Sequence, residues 1–469
     1  MTATGAAGAA DLKGAVGETG ARVLATRLPL IAAGPRGVLP PLPKTAWLEI
    51  DLDALVANVR LMRDLLPPGV RVEPVIKADA YGHGAVAVAR ALVADGIQSV
   101  GVATYDEALE LRQGGIEVPI VILFPIPAGL APSALRHCMA ITVGDQMLLS
   151  RTLAALEAAP TAVSGGANGS TPSRLAIHLE VETGLGRGGV HPEEVPGVAA
   201  QIEANPRARL VGLWSHLQAA DNTEITSSQD TNFVAASGLL EDSGVSLPAR
   251  HISASGGVLA ATAGTYDVVR VGLAQYGIIP DGLVVSAPNA VAAAALRPVM
   301  SLRARPVRVA WLEAGSGVSY GPTFTTERKS RIATLPLGYA DGLPRSLSNK
   351  AQVLVRGMRV PQVGTVAMDA IMVDVTDVPG AAVTIDDEFT LIGEQGGERI
   401  SAVEVAQWCN TISYEVVTAM SGRLPRVYYA ASEAVAMRAV ACDLAPDPGR
   451  TTVRSVDVSE DDPGPLGCE

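Results

Sequence analysis

Short apolar runs rich in β-branched residues alternate with helical patterns from Thr45 to about Pro298, and this alternation constrains the fold most strongly. Strands are predicted at Val72–Lys77, Ser99–Ala103, Pro119–Phe124, Met139–Val143, Leu175–Val181, Leu210–Ser215, His251–Ala254 and Asp267–Val271. The segments between them carry apolar residues at i, i+3 and i+4, as in Tyr105–Arg112, whose acidic first turn suits a helix start. Eight such units in roughly 250 residues are typical of a TIM barrel, and an open doubly wound sheet is the competing interpretation.

After about residue 298 the pattern changes to strands separated by turns, which indicates a second domain. The predicted strands are Ser301–Val309, Arg331–Leu337, Gln352–Val355, Met368–Val375 and Glu388–Ile392, followed by helices at Ala402–Cys409 and Tyr414–Met420. The predicted fold class is α/β, a (β/α)8 TIM-like barrel followed by a mostly β C-terminal domain.

Composition predicts where the domains begin and end. We expect a disordered N-terminal extension over 1–43, the barrel over 44–298, the β-rich domain over 299–442 and a disordered acidic tail over 443–469. The stretch 159–173 is rich in small residues and is predicted to be a surface insertion. The apolar run 28–33 is short and broken by Pro29, so we interpret the N-terminus as a cytoplasmic extension rather than a signal peptide.

Charge and residue spacing exclude several classes of function. The net charge of −12 argues against a nucleic-acid-binding protein, since phosphate binding needs a basic surface. No run approaches the roughly 18 apolar residues of a membrane helix. The four cysteines are far apart and no H-E-x-x-H occurs, so neither a disulfide scaffold nor a metal site is predicted.

Two short motifs match well-known functional patterns, but each lacks a residue that the function requires. Gly184–Gly189 fits G-x-G-x-x-G, but the next strand ends at Trp214-Ser-His216 instead of the acid that a dinucleotide site requires. Gly317–Gly321 fits G-x-S-x-G, yet the last histidine of the chain is His251, upstream of Ser319. A hydrolase nucleophile at Ser319 would need a downstream histidine, so both interpretations are rejected.

Lys77 ends the first predicted barrel strand, at the rim where barrel active sites lie. A lone lysine there commonly extends its amine into water. A partly desolvated lysine would instead have a lowered pKa and could form a Schiff base with a carbonyl. The residues around Lys77 leave both alternatives open.

A series of longer motifs resembles the alanine racemases, which are fold-type III enzymes that use pyridoxal 5'-phosphate (PLP). The motifs are VIKADAYGHG, LEVETGLGRGG, LWSHLQAADN, HISASGG, YDVVRVGLAQYG, GSGVSYGPTF, LPLGYADGLPR, VGTVAMDAIMVD and TISYEVV. They follow in order from about Thr45 to Tyr429, which is most of the chain. Their number and order make the resemblance specific, although no single motif would.

The resemblance implies a set of site residues. The implied catalytic residues are Lys77, which would carry PLP, and Tyr320; the implied cofactor ligands are Lys77, Tyr81, His216, Ser255, Arg270, Gly272, Leu273 and Tyr414; the implied substrate ligands are Arg187, Met368 and Asp369. Taken alone, each has an ordinary structural role, such as a core tyrosine for Tyr81 or a turn glycine for Gly272. No metal is implied.

Three of these residues suggest racemisation. Arg270 matches the residue that faces the pyridine nitrogen, and a guanidinium cannot readily protonate that nitrogen as a carboxylate would. Weak delocalisation of the Cα carbanion into the ring would favour return of the proton to Cα. Racemisation also needs acid–base groups on both faces of Cα, and the resemblance assigns these roles to Lys77 and to Tyr320 of a partner subunit, supported by His216. It therefore implies a homodimer with composite sites.

Three positions depart from the family pattern. Glu180 stands where the family often has a carbamylated lysine that supports the substrate-binding arginine, here Arg187. We hypothesise that Glu180 supplies the negative charge directly. Glu182 replaces an aspartate and Ala254 an asparagine, and we expect both to retune the site modestly.

The implied activity is cytoplasmic interconversion of L- and D-alanine, which supplies D-alanine for bacterial peptidoglycan. An amino-acid racemase with another preference, such as serine, is one alternative, because one methylene changes binding by only about 1–3 kcal/mol. A fold-type III decarboxylase is a second, which Arg270 and Tyr320 disfavour. A non-catalytic PLP-binding protein is a third, which the long second domain disfavours.

Overall fold

The computed structural model describes residues 30–32, 39, 41–160 and 174–440. The strands are β1 (Leu30–Ala32), β2 (Ala46–Asp51), β3 (Arg71–Pro74), β4 (Val100–Val102), β5 (Ile120–Ile122), β6 (Met139–Val143), β7 (Leu175–Glu180), β8 (Ala208–Trp214), β9 (Ala249–His251), β10 (Val268–Val271), β11 (Met300–Ala304), β12 (Arg308–Leu312), β13 (Ser330–Leu335), β14 (Gln352–Val355), β15 (Met358–Pro361), β16 (Ile371–Asp374), β17 (Phe389–Gln395), β18 (Glu398–Ile400), β19 (Arg426–Ala430) and β20 (Glu433–Arg438). The helices are α1 (Leu52–Asp64), α2 (Lys77–Tyr81), α3 (Ala85–Ala94), α4 (Tyr105–Gln113), α5 (Ala131–Arg136), α6 (Gln146–Ala158), α7 (Val195–Ala204), α8 (Thr223–Asp242), α9 (Ser255–Ala260), α10 (Ala290–Ala294), α11 (Ala402–Cys409) and α12 (Ser413–Thr418).

Eight parallel strands, β3 to β10, close into a ring. Strands β4 to β9 pair in chain order, and β10 pairs with β3 with Val268 opposite Arg71. Single bridges between Val75 and Gly101 and between Ala254 and Arg270 join the two sets. The predicted TIM-like barrel is confirmed, and the open doubly wound alternative is wrong, because such a sheet would leave two unpaired edges.

The barrel strands form where the sequence predicts them because they are apolar on both faces, as parallel strands covered by helices must be. Strands β4 and β5 consist of Val, Gly and Ile, and all their residues are buried. Helix α4 begins at a capping box, in which Thr104 and Glu107 satisfy each other's backbone donors. Strand β9 is Ala249–His251, so the predicted strand His251–Ala254 begins two residues and ends three residues too late.

The second domain is mostly β, as predicted. Its larger sheet has the order β1-β20-β19-β2-β11-β17-β14-β15, with β18 paired to β17, and a smaller sheet has the order β12-β13-β16. Strand β2 is antiparallel to β11 and parallel to β19. The barrel boundary predicted at residue 44 is therefore wrong for residues 46–51, which belong to the second-domain sheet.

Strand β1 corrects another expectation, because it lies in the segment 1–43 predicted to be disordered. Leu30 pairs with Arg438 and Ala32 with Ala436, so β1 adds an antiparallel edge to β20. The predicted tail 443–469 and residues 161–173 of the predicted insertion lie outside the described residues, as do 1–29, 33–38 and 40 of the N-terminal segment. In the described part of the chain, no helix is long and apolar enough to cross a membrane.

Candidate active site

A cavity of about 470 Å³ opens at the carboxyl ends of the barrel strands. The predicted site residues that line it are Lys77, Tyr81, Arg187, His216, Ser255, Arg270, Gly272, Leu273 and Tyr414. They come from segments spread over more than three hundred residues. The barrel brings all of them except Tyr414 to one face because every parallel strand ends there, and Tyr414 reaches the cavity from α12. These predicted residues thus lie around one cavity, and their roles as cofactor and substrate ligands stay predictions.

Lys77 begins a turn of left-handed helix. Ala78, Asp79, Ala80 and Tyr81 have φ values of 51°, 55°, 54° and 54°. Each non-glycine residue in this region costs about 1–2 kcal/mol relative to the right-handed conformation, so the surrounding structure must hold the turn. One such contact is the amide of Ala78, which donates to Glu107 Oε1 at 2.6 Å.

The environment of Lys77 favours the neutral amine. Burial lowers the pKa of Lys77 below its ordinary value, and the positive charge of Arg187 lowers it further, whereas Glu107 opposes the shift. A lysine with a lowered pKa has more free amine at neutral pH and is the better nucleophile. Of the two alternatives for this residue, the structure favours the partly desolvated lysine.

Ser255, Gly272 and Tyr81 form one end of the cavity. The amides of Gly272 and Ala274 both donate to Ser255 Oγ, at 2.9 and 3.3 Å, which leaves the hydroxyl hydrogen as a donor for a ligand. A Cβ on Gly272 would lie 2.9 Å from Tyr81 Oη, so only glycine leaves this space open. The ring of Tyr81 lies 5.1 Å from that of Tyr276 and 6.2 Å from that of Tyr414, which fixes its hydroxyl at the cavity.

Arg270 is almost fully buried and held by several acceptors. Nη1 donates to His251 Nδ1 at 2.6 Å and to the His251 carbonyl at 3.1 Å, and Nη2 donates to the Ser215 carbonyl at 2.7 Å. Its guanidinium carbon lies 4.8 Å from the centre of the Trp214 ring. Burial lowers the pKa of Arg270 to about 10, so it is still a cation at neutral pH. These contacts engage both Nη atoms, and Nε–H is the donor left for a ligand.

The hydrogen bonds of Arg270 determine the tautomers of His251 and His216, and through His251 that of His178. Because Arg270 donates to His251 Nδ1, His251 carries its hydrogen on Nε2, which lies 3.0 Å from His178 Nδ1 and donates to it. His216 Nδ1 lies 3.2 Å from Arg270 Nη2 and accepts in the same way, so its Nε2–H is a donor. Burial, followed by the charge of Arg270, lowers the pKa of His216 to about 3, so it is neutral at neutral pH.

The support that Arg270 receives from His251 and His178 was missed from the sequence. His251 begins the motif HISASGG, and His178 lies on the strand face that also carries Glu180. The signal was therefore present, but only the closed barrel brings β7 close to β9 and β10, with β8 between β7 and β9.

Arg187 and Glu180 form an ion pair with Nη2–Oε1 at 3.4 Å. Glu180 is buried, and burial raises the pKa of its carboxyl group while Arg187 acts to lower it. The guanidinium of Arg187 also lies 5.4 Å from the centre of the Phe124 ring. Glu182 holds the loop that leads to Arg187, since its carboxylate accepts from the amides of Gly184 and Gly186 at 2.5 and 2.9 Å.

Tyr320, Met368 and Asp369 do not line the cavity. They lie on loops of the second domain, where Tyr320 is 74% and Met368 52% exposed. Thr365 Oγ1 donates to the Tyr320 carbonyl at 2.9 Å, and Asp369 pairs with Arg423 at 2.5 Å. None of the three residues lines the cavity that Lys77 of the same chain lines.

The cavity fits PLP. The hydroxyls of Ser255 and Tyr81 and the space above Gly272 suit the phosphate of PLP. The buried cation Arg270 suits the pyridine nitrogen, which accepts a hydrogen bond, and the amine of Lys77 suits the aldehyde carbon. The feature that best suits a phosphate is the space above Gly272, which a single methyl group would fill.

Comparison with known proteins gives consistent matches. The family model described as "Alanine racemase, N-terminal domain" matches residues 50–280, and "Alanine racemase, C-terminal domain" matches residues 299–428. The alanine racemase of Symbiobacterium thermophilum is 39% identical over 391 residues, which are 82% of this chain and 97% of that protein. That of Desulfovibrio desulfuricans is 40% identical over 387 residues, 82% of this chain and 98% of that protein.

Solved structures show the same relationship. The alanine racemase from Bacillus anthracis with bound L-Ala-P superposes with a TM-score of 0.75 at 32% identity, covering 85% of this chain and 98% of that one. The alanine racemase from D-cycloserine-producing Streptomyces lavendulae superposes with a TM-score of 0.72 at 35% identity, covering 83% of this chain and 98% of that one.

Proposed function

The chain belongs to the alanine racemase family, and we propose that it is a PLP-dependent enzyme that interconverts L- and D-alanine with Lys77 and Tyr320 as its two acid–base residues. The observation that carries the proposal is the single cavity in which Lys77, Arg187, Ser255 and Arg270 converge. The proposal includes a cytoplasmic location and the supply of D-alanine for peptidoglycan, as the family implies.

PLP, when bound, supplies the electron sink that makes the Cα proton of an amino acid acidic. Lys77 would hold the cofactor and exchange that proton from one face of Cα, for which its lowered pKa suits it. Arg270 would donate Nε–H to the ring nitrogen and, as a cation, would not readily transfer a proton to it. Arg187 would bind the substrate carboxylate through its planar fork, with Glu180 orienting the guanidinium.

Tyr320 would exchange the proton from the opposite face. A tyrosine of ordinary pKa near 10 is a weak base at neutral pH and needs a hydrogen-bond donor beside it. Neutral His216, with its hydrogen on Nε2, is such a donor at the cavity. Since Tyr320 is exposed and away from the cavity of its own chain, we propose that it enters the cavity of a second copy, together with Met368 and Asp369. The functional unit would then be a homodimer with composite sites.

The test is to measure alanine racemisation in both directions with purified, PLP-loaded protein. Lys77→Ala should abolish both directions, and Tyr320→Phe should reduce conversion of L-alanine more than that of D-alanine. Lys329→Ala, which removes an exposed lysine paired with Glu313, and Tyr105→Phe, which alters a tyrosine bonded to Ser133, are the matched controls and should be active. A protein that binds PLP without interconverting alanine would refute the proposal, and release of CO₂ or turnover of serine would identify the alternative.

A further inference from the structure

The left-handed turn after Lys77 is held from outside the barrel by the last strand of the second domain. Asp79, two residues after Lys77, forms a bidentate ion pair with Arg438 of β20. Arg438 Nη1 donates to Asp79 Oδ1 at 2.7 Å, and Nη2 donates to Oδ2. The same Oδ1 accepts from the amide of Ala85 at 2.9 Å, where α3 begins. One carboxylate thus connects the turn, the following helix and β20.

A second arginine supports the same turn. Arg426 of β19 is 1% exposed and donates through Nε to the Gly82 carbonyl at 2.9 Å. Its Nη2 lies 3.8 Å from Asp79 Oδ2. Tyr428 also presses on this region, because a Cβ on Gly84 would lie 2.0 Å from its hydroxyl oxygen. Strands β19 and β20 therefore contact the segment 79–84 at successive points.

Electrostatics favours an ionised pair between Asp79 and Arg438. Burial acts to raise the pKa of Asp79, but the hydrogen bonds and charge of Arg438 outweigh it, and the pKa lies below its ordinary value. Arg438 is itself buried, and its pKa is raised by the same partner against the effect of burial. A partly buried bidentate pair of this kind has a more defined geometry than a fully exposed one.

Arg438 lies outside the region that the family models match, which ends at residue 428. Its strand β20 is paired on both sides, with β19 and with β1, and Leu30 lies opposite Arg438. The position of Arg438 is therefore fixed by the sheet, and the strained partner in the ion pair is the turn that carries Asp79.

We propose that Arg438 is a positioning residue for Lys77, because its ion pair with Asp79 keeps the left-handed turn in shape and so sets where Lys77 and Tyr81 enter the cavity. This inference rests on the proposed function of Lys77 as the residue that carries PLP. The pair itself touches no substrate. It acts through the backbone between Asp79 and Lys77, where a shift of about 1 Å at the reacting group can lower the rate about 100-fold.

The experiment compares Arg438→Ala and Arg438→Lys with the wild-type full-length protein. The control is Arg356→Ala, which removes a bidentate arginine–aspartate pair with Asp387 on the surface of the second domain. Three quantities are measured: the affinity of the apoprotein for PLP by absorbance titration, kcat and KM for alanine, and amide hydrogen exchange over 78–85.

For Arg438→Ala we expect weaker PLP binding, a fall in kcat of up to about 100-fold with little change in KM, and faster exchange confined to 78–85. Arg438→Lys keeps the charge and should recover part of each loss, and Arg356→Ala should behave as wild type. Normal PLP affinity and normal exchange in Arg438→Ala would overturn the proposal. So would faster exchange throughout the barrel, since this would indicate a general loss of stability.

A substitute variant and a measurement on apoprotein are added so that the proposal is tested even if Arg438→Ala does not fold or the wild type is inactive. If Arg438→Ala does not fold, Asp79→Asn, which keeps the side-chain size and removes the charge, is measured in its place with the same expected and contrary results. Exchange is also measured on apoprotein. If the wild type fails to racemise alanine, the proposed function fails, whereas the link between Arg438 and the turn is still decided by the exchange over 78–85.

Discussion

Gly272→Ala is a direct test of the cavity end assigned to the phosphate. The added Cβ would lie 2.9 Å from Tyr81 Oη, and an ordinary contact begins at 3.4 Å, so the hydroxyl must retreat by about 0.5 Å. Tyr81 is only 6% exposed and is packed against Tyr276 and Tyr414, which restricts this movement. The φ of Gly272 is −102°, so a left-handed backbone is not the reason for the glycine.

Overfilling a packed site costs about 1–3 kcal/mol, which corresponds to a roughly 5- to 150-fold change in an equilibrium constant. We therefore expect Gly272→Ala to weaken PLP binding by a factor in that range, measured by absorbance titration of the apoprotein. Gly197→Ala is the matched control, because Gly197 lies in α7 and no atom is within 4 Å of its added Cβ. The control should bind PLP normally and be slightly more stable. Wild-type affinity in Gly272→Ala would refute the assignment of this cavity end.

Two other predictions concern charge. Glu180→Gln should raise KM for alanine about fivefold, as expected when a half-exposed arginine, Arg187, loses a partner worth about 1 kcal/mol, and unchanged KM and kcat would contradict the role of Glu180. Burial lowers the pKa of His216 to about 3 and the pKa values of His83 and His178 to about 4. As the pH is lowered from about 6.5 to 5, the unfolded chain therefore binds protons that the folded chain does not. The free energy of unfolding should decrease over this range by up to about 1.4 kcal/mol per pH unit for each histidine. Urea unfolding of the apoprotein across this range measures the slope, and a flat profile would be the contrary result.

The barrel could be predicted from the sequence because each of its strands is a local apolar run between helices. Strand β2 could not be placed in this way. Residues 46–51 directly precede α1 and adjoin the barrel in sequence, but they pair with β11, about 250 residues away. Strand β1 has the same difficulty, since Leu30–Ala32 pairs with β20 at the other end of the described chain.

The candidate site also has parts that the sequence predicts and parts that it does not. Lys77, Ser255 and Arg270 each lie in a distinctive motif at a strand end, so the motif predicts both identity and position. The left-handed turn does not follow from the segment Lys77–Tyr81, because alanine favours right-handed helix and the turn is fixed by distant partners. The ion pair between Asp79 and Arg438 joins residues 359 positions apart with no motif at Arg438.

The proposed role of Tyr320 requires a second copy of the chain, because Tyr320 is exposed and does not line the cavity of its own chain. The most direct test mixes subunits of Lys77→Ala with subunits of Tyr320→Phe, each nearly inactive toward L-alanine alone. Random exchange should place one intact site, with Lys77 from one subunit and Tyr320 from the other, in about half of the dimers. A composite site predicts that L-alanine conversion returns to about a quarter of the wild-type rate. Mixed dimers that form and stay as inactive as their parents would contradict it.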